Sequence, residues 1–188
     1  NSRIRDFSFK YDFDFFPTPK HSVKAGIQTI FHRFTPSAVV LENSDTQKFE
    51  TSIDNIDVIE SGIYAEDVWQ PSEKLKMNIG IRVSNYYTSG KNYLRPEPRL
   101  SLAYKIGPNL ALKASYALMN QYVHLLSNTG LGLPTDLWVP TTDLIAPQQS
   151  EQIAAGFAQD IGNNGLTLTI EGYYKTMNNI INYKEGAS

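Results

Sequence analysis

Apolar and polar residues alternate along most of this chain. From Leu75 to Ser84 every odd-numbered residue is apolar, and every even-numbered residue is polar or glycine. The stretch from Phe7 to Phe15 likewise alternates aromatic residues with serine, lysine and aspartate. Because successive side chains of a strand point to opposite faces, each stretch predicts a β-strand with one apolar face and one polar face.

The alternation recurs on about eight long segments. We place these strands at residues 4–16, 21–34, 59–70, 74–87, 97–106, 110–124, 150–161 and 165–182. Proline, glycine and asparagine supply the backbone geometry of short reversals, and they predict hairpin turns near 17–20, 71–74, 107–109 and 162–165. Long loops are predicted at 35–58, 88–96 and 125–149. Most strands reach the roughly 9–11 residues that cross a bilayer, and short turns alternate with long loops as in outer-membrane barrels.

The two faces of these strands differ in character. The polar face holds lysine, arginine, glutamate and glutamine, which suits a water-filled lumen better than a dry core. The third strand, from Ile63 to Trp69, alternates poorly, and the sequence does not assign its faces. Aromatic residues gather on the apolar side near the short turns, where a bilayer has its interfacial girdle, namely Tyr11, Phe13, Phe15, Phe16, Trp69 and Tyr104.

The predicted fold is therefore all-β, an antiparallel meander of about eight long strands. We interpret residues 1–188 as one partial outer-membrane β-barrel, in preference to a soluble sandwich or a lipocalin-like barrel. A sheet with two free edges and a large apolar face invites pairing with other polypeptide. We therefore expect an open, twisted sheet rather than a closed eight-stranded barrel.

Composition removes several classes of function. The net charge of the 188 residues is −2, so no basic field attracts nucleic acid. Cysteine is absent, which excludes disulfides and thiolate metal sites. The three histidines are far apart in sequence, and the chain has no nucleophile elbow or complete phosphate-binding loop. We predict no catalytic residues, no metal site, no cofactor and no enzymatic activity.

Aromatic residues in two predicted loops are candidates for ligand contact. Trp138 beside Asp136 combines an aromatic platform with a hydrogen-bond acceptor, which suits a sugar ring or a flat chelate. The connection that contains them, residues 128–149, is long enough to favour a functional role. The alternative is that Trp138 anchors this loop on the barrel rim between two prolines. The second group, interpreted as ligand contacts or as an interfacial belt, consists of Tyr86, Tyr87 and Tyr93.

Five short motifs follow one another in the chain. They are Tyr64–Trp69, Asn78–Arg82, Pro98–Tyr104, Leu112–Tyr116 and Glu171–Lys175. Each is weak alone, but their order resembles the middle and later part of the barrel of TonB-dependent outer-membrane receptors. The resemblance covers about residues 60–185, and the first 60 residues fit it by alternation only.

The resemblance implies a barrel of about 22 strands plugged by an N-terminal globular domain, of which this chain holds roughly a third. Such receptors lie in the outer membrane of Gram-negative bacteria and take up ferric siderophores, haem, cobalamin or oligosaccharides. The implied partners are outer-membrane lipid, the rest of the barrel with its plug, the ligand, and TonB through the plug rather than through this segment. The chain has no plug, no TonB-contacting box and no terminal aromatic residue, so we interpret it as a barrel fragment.

Two alternative functions stay open at this point. The count of eight strands also fits a complete small outer-membrane barrel with a structural or adhesive role. A soluble β-barrel that binds small apolar ligands is the other alternative, and it requires the apolar face to point inward. Dispersal in water as a closed monomer would favour the soluble binder.

Overall fold

The structure consists of β-strands and their connections. It is a computed structural model that describes residues 3–35, 55–88, 90–126, 137–162 and 165–182. Within those residues no helix has the length and apolar character needed to cross a bilayer. The strands are β1 (Arg3–Thr18), β2 (His21–Thr35), β3 (Ile56–Ser72), β4 (Leu75–Thr88), β5 (Lys91–Lys105), β6 (Leu110–Gln121), β7 (Val123–Leu126), β8 (Leu137–Pro140), β9 (Gln148–Ile161) and β10 (Leu166–Asn178).

Eight of the strands form one antiparallel sheet. Its order is β1-β2-β3-β4-β5-β6-β9-β10, and β7 pairs with β8 in a separate hairpin. The all-β prediction of an eight-stranded antiparallel meander is confirmed. Among the described residues β1 and β10 do not pair, so the sheet is open, as expected. At about 3.3 Å per residue the eight strands are about 40–56 Å long, enough to cross a bilayer when tilted.

The sheet has two ends of different character. At one end, which we call the turn end, β1–β2, β3–β4, β5–β6 and β9–β10 are joined by short reversals at residues 19–20, 73–74, 106–109 and 162–165. At the opposite end, the link end, β2 is connected to β3 and β6 to β9 by longer segments. Residues 36–54 of the first segment lie outside the described residues.

Cross-strand register assigns the two faces of every long strand, because directly paired residues share a face. Tyr11 pairs with Ile27, Ile27 with Ile63, and Ile63 with Val83, which makes a continuous apolar row. Ile63 is 60% exposed on this apolar face. The register also resolves β3, whose faces the sequence left unassigned, because Glu60 falls on the polar face.

The predicted loop at 88–96 is wrong, because most of it is strand. Thr88 pairs directly with Lys91, so only residues 89 and 90 separate β4 from β5. Gly90 has a φ of 82°, a left-handed conformation that glycine adopts without strain. Pro96, at the end of the predicted loop, and Pro98, in the predicted fifth strand, both lie inside β5.

The position of the prolines in β5 explains how a strand tolerates them. The amide of Lys105 bonds to the carbonyl of Lys74 at 2.7 Å, so odd-numbered amides of β5 face β4. The missing amides of Pro96 and Pro98 therefore face β6, and pairing with β4 is unaffected. Pairing of β5 with β6 accordingly begins only at Arg99 opposite Ala117. The link-end halves of β5 and β6 are not joined by a backbone ladder.

Gly156 in β9 meets the backbone of β10 at unusually close range. A Cβ at this position would lie 2.3 Å from the carbonyl oxygen of Ile170. We expect Gly156→Ala to reduce stability by about 1–3 kcal/mol, because a backbone atom cannot move aside without disturbing the ladder. Urea unfolding of the full-length protein in detergent measures the change. Gly172→Ala on β10 is the matched control, since nothing lies within 4 Å of its added methyl group, and equal losses for both variants would contradict the prediction.

Candidate ligand-binding surface

A row of charged and polar side chains, which we call the polar row, crosses the polar face from β1 to β5. His32 Nδ1 lies 2.9 Å from Asp6 Oδ1, and its Nε2 lies 3.7 Å from Glu60. Arg82 lies 3.7 Å from Glu60 and 3.8 Å from Glu97. These groups come from five adjacent strands, so the contacts connect the strands of the sheet from side to side.

Arg82 is the centre of this polar row. Its Nη1 donates a hydrogen bond to Gln28 Oε1 at 3.2 Å, so the side chain reaches across β3 to β2. Gly62 makes room for that reach, because a Cβ there would lie 2.9 Å from the guanidinium carbon. The glycine in β3 therefore allows the arginine to lie flat on the sheet between two carboxylates.

Glu97 continues the row to β6 where the backbone ladder is missing. It is only 5% exposed. Ser84 donates a hydrogen bond to its Oε1 at 2.9 Å, and the amide of Asn120 donates another at 3.3 Å. A buried carboxylate needs such partners, and Arg82 supplies the opposite charge. Side chains thus replace main-chain hydrogen bonds between β5 and β6.

Four aromatic residues and one valine form a buried cluster, which we call the aromatic cluster, on the same face nearer the link end. Its members are Phe34, Val58, Tyr86, Tyr93 and Tyr122. Tyr86 and Tyr122 stack with ring centroids 4.7 Å apart and an interplanar angle of 6°. Offset stacking of this kind adds to the stabilisation that burial already gives. The Tyr122 hydroxyl lies 2.6 Å from Ser84 Oγ, which joins the aromatic cluster to the polar row.

The connection from β6 to β9 folds back over this cluster. The amide of Thr141 bonds to the carbonyl of Tyr122 at 2.7 Å, and the Tyr93 hydroxyl donates to the Thr142 carbonyl at 2.7 Å. The predicted structureless loop at 125–149 is therefore wrong in part, since it contains β8 and the end of β7. The predicted sixth strand ends at Gln121 rather than residue 124, because the chain turns inward at Tyr122.

The residues selected from the sequence as ligand contacts lie in different environments. Tyr86 and Tyr93 face each other across β4 and β5 and are buried in the aromatic cluster. Tyr87 lies on the opposite, apolar face and is 50% exposed, a position typical of an interfacial belt. Trp138 lies in β8 opposite Leu125 and is 43% exposed. Asp136 lies outside the described residues.

Several contacts of this surface could not be predicted from the sequence. Alternation places Arg82 and Glu97 on the polar face, but it does not reveal that they are neighbours. That information resides in the register of β4 on β5, where Arg82 pairs directly with Glu97. Tyr122 was missed for another reason, because it follows the end of β6 and leaves the alternating pattern.

His124 is a buried titratable residue of the hairpin formed by β7 and β8. It is 3% exposed, and its Nε2 lies 3.3 Å from Thr141 Oγ1. Burial lowers the pKa of His124, and a hydrogen bond with Gln148 opposes that effect only partly. The neutral imidazole is therefore favoured in the folded hairpin. Its contribution to stability is complete above the ordinary histidine pKa of about 6.5 and is lost as the pH falls toward the lowered value.

We accordingly expect residues 137–147 to lose protection from amide exchange on acidification. Hydrogen–deuterium exchange at about pH 7.5 and about pH 5.5, corrected for intrinsic rates, measures the effect, with the window set by the ordinary histidine pKa. His124→Asn has no titratable ring, so its hairpin should respond less to pH. An identical response in the variant and the parent protein would exclude His124 as the cause.

The family of the chain follows from its sequence as well as from this fold. The TonB dependent receptor-like, beta-barrel family matches residues 2–188. The chain therefore belongs to the family of TonB-dependent receptor β-barrels, and the resemblance seen in its motifs is confirmed. This family is a class of outer-membrane receptors and transporters rather than of enzymes. Comparison with curated protein sequences gave no match.

Solved structures share the fold. The FrpB iron transporter from Neisseria meningitidis (F3-3 variant) superposes with a TM-score of 0.67 at 14% identity, covering 94% of this chain and 28% of that protein. The siderophore receptor PirA from Acinetobacter baumannii gives 0.61 at 13% identity, with 94% and 34% covered. The alcaligin outer-membrane receptor FauA from Bordetella pertussis gives 0.57 at 17% identity, with 100% and 31% covered. The chain thus spans about three tenths of the length of these proteins, as part of a larger barrel.

Proposed function

We propose that this chain is part of the wall of a receptor that takes up a ferric siderophore across the outer membrane of a Gram-negative bacterium. The observation that carries the proposal is the division of one long-stranded sheet into an exposed apolar face and a charged, hydrogen-bonded polar face. Lipid contacts the first, and the second lines the lumen. The siderophore class is supported by the similar folds of the iron transporter FrpB, the siderophore receptor PirA and the alcaligin receptor FauA.

Within this receptor the link end is the mouth that meets the ligand. The connection from β6 to β9 covers the lumen wall there, and Trp138 on its hairpin is 43% exposed. We propose Trp138 and Asp136 as ligand contacts. Tyr86 and Tyr93 hold the covering segment in place through the aromatic cluster and the hydrogen bond to Thr142. Tyr87 faces lipid.

The remaining partners follow from the same proposal. The rest of the barrel pairs with the free edges of β1 and β10, because unpaired strand edges do not persist in a bilayer. A plug domain fills the lumen against the polar face. TonB transmits energy through that plug and makes no contact with this segment.

Iron uptake tests the proposed function. Cells deleted for the gene, and cells complemented with it, receive ⁵⁵Fe bound to siderophores from their own iron-starved culture medium. We expect the deletion to lose energy-dependent uptake of at least one chelate, and complementation to restore it. Unchanged uptake of every chelate would contradict the siderophore proposal. Trp138→Ala should weaken binding of the same chelate to whole cells, whereas Leu144→Ala, an exposed residue of the same connection, is the control.

A further inference from the structure

Three arginines, which we call the arginine group, lie on the apolar face at the link end of β1 and β2. Arg5 pairs directly with Arg33, and Arg3 lies two residues from Arg5 on the same face of β1. All three are exposed. Toward the turn end the next residue of this face is aromatic in both strands, namely Phe7 in β1 and Phe31 in β2. The face therefore changes from aromatic to basic within one step of the alternation.

The arginine group carries an excess of positive charge. Arg33 donates two hydrogen bonds to Asp57 of β3, at 2.7 and 2.8 Å. No ion pair between described residues includes Arg3 or Arg5. Arg5 stands directly opposite Arg33, and like charges in that position repel each other. Within the described part of these strands, one carboxylate thus balances three guanidinium groups, and an anion placed over them would relieve the repulsion.

The depth of the arginine group in the membrane follows from the proposed function, in which the apolar face contacts lipid and the link end is the outer mouth. Aromatic girdles mark the boundary between hydrocarbon and headgroups. The step from Phe7 to Arg5 therefore places the guanidinium groups at the depth of the outer-leaflet headgroups. The Arg33 guanidinium lies 5.7 Å from the centroid of the Phe31 ring, so a charged group and an aromatic ring meet at this boundary.

The remainder of the proposed receptor leaves the arginine group facing lipid. The plug fills the lumen, on the opposite face of the sheet. The other strands of the barrel extend the sheet sideways from the edge of β1. They therefore lie beside Arg3 and Arg5, in the plane of the sheet, rather than over them.

We propose that Arg3 and Arg5, with Arg33 beside them, bind a phosphate group of an outer-leaflet lipid. A guanidinium donates two parallel hydrogen bonds to a phosphate, and residues two apart on one strand are about 7 Å apart, so both side chains can reach one phosphate. The acyl chains of the same lipid then lie along the exposed aromatic side chains that continue down β1, Phe7, Phe9 and Tyr11. The proposal rests on the proposed function for the outward direction of this face and adds a specific lipid site to it.

Titration of the full-length protein in detergent with diphosphorylated lipid A, followed by native mass spectrometry, tests the proposal. We expect Arg3→Gln with Arg5→Gln to lower the affinity for this lipid about tenfold, because charge-assisted hydrogen bonds to phosphate are lost. Arg99→Gln with Lys113→Gln is the matched control, since it removes two exposed cations from the polar face. Equal affinity of the parent protein and the first variant would overturn the proposal, and so would an equal loss in the control.

Two further arms test the role of charge and the source of the phosphate. Arg3→Lys with Arg5→Lys keeps both charges and should keep most of the affinity, whereas a loss as large as that of the glutamine variant would overturn the proposal. Inorganic phosphate at the concentration of the lipid should not displace it, because the free ion has no acyl chains to contact the aromatic residues. Displacement would overturn the assignment to a lipid. None of these readouts depends on iron uptake, so the proposed function can fail separately.

Discussion

Replacement of Arg82 by methionine is expected to destabilise the barrel by about 3 kcal/mol. The guanidinium is the cation shared by Glu60 and Glu97, whose side chains are 20% and 6% exposed. Methionine keeps the length of the side chain but leaves two nearly buried carboxylates without an opposite charge. The midpoint of urea unfolding of the full-length protein in lipid vesicles measures the loss.

Two companion variants separate the burial of charge from a general effect of losing an arginine. Arg33→Met removes the two hydrogen bonds that Arg33 makes to Asp57 at 2.7 and 2.8 Å, but both side chains are more than 40% exposed. Water and salt screen that pair, so little change is expected. Glu60→Gln with Glu97→Gln should recover much of the stability lost in the Arg82 variant. Equal losses at positions 82 and 33 would contradict this account of the row.

Arginine in place of Ile170 should destabilise the inserted barrel by about 2–4 kcal/mol if the residue faces the hydrocarbon. Ile170 is 53% exposed on the apolar face, where it pairs with Phe157 of β9. The hydrocarbon core of the bilayer has no hydrogen-bonding group that could solvate a guanidinium there. Folding yield into vesicles and the urea midpoint of the folded fraction measure the cost.

The neighbouring residue supplies the control for this substitution. Thr169 differs from Ile170 by one position and therefore points to the opposite face. It pairs with Ala158, a small residue on the polar side, so an arginine has room and water around it. We expect Thr169→Arg to fold nearly as the parent protein does. A larger loss at 169 than at 170 would reverse the assignment of the faces and revive the soluble-barrel alternative.

Period-two alternation was sufficient to predict the eight strands of the large sheet and most of their faces. It worked because lipid on one side and water on the other impose opposite requirements on adjacent residues, as from Leu75 to Ser84. It failed at Lys91–Pro96, where one proline and several polar residues imitate a loop. The strand persists there because the missing amides face away from β4, and composition does not reveal that direction.

The candidate surface was predictable only as a face, not as a set of contacts. The sequence places Arg82 and Glu97 on the polar side, but their contact depends on the pairing of Thr88 with Lys91, which the sequence did not predict. If the length of the connection between β4 and β5 is predicted wrongly, every residue of β5 is assigned the wrong partner on β4. Tyr86 and Tyr93 were selected as loop residues, whereas their burial results from the return of the chain at Tyr122. Such long-range packing has no local signal in the sequence.

The interrupted ladder between β5 and β6 has a mechanical consequence. Between Arg99 and the link end these strands are held together by the contact of Glu97 with Asn120 rather than by main-chain hydrogen bonds. Separation of the two strand halves there would break side-chain hydrogen bonds but no main-chain ladder, since each half keeps its ladder to its other neighbour. Two prolines thus leave the sheet with a seam at its link end, where fewer main-chain hydrogen bonds resist a change in the spacing of its strands.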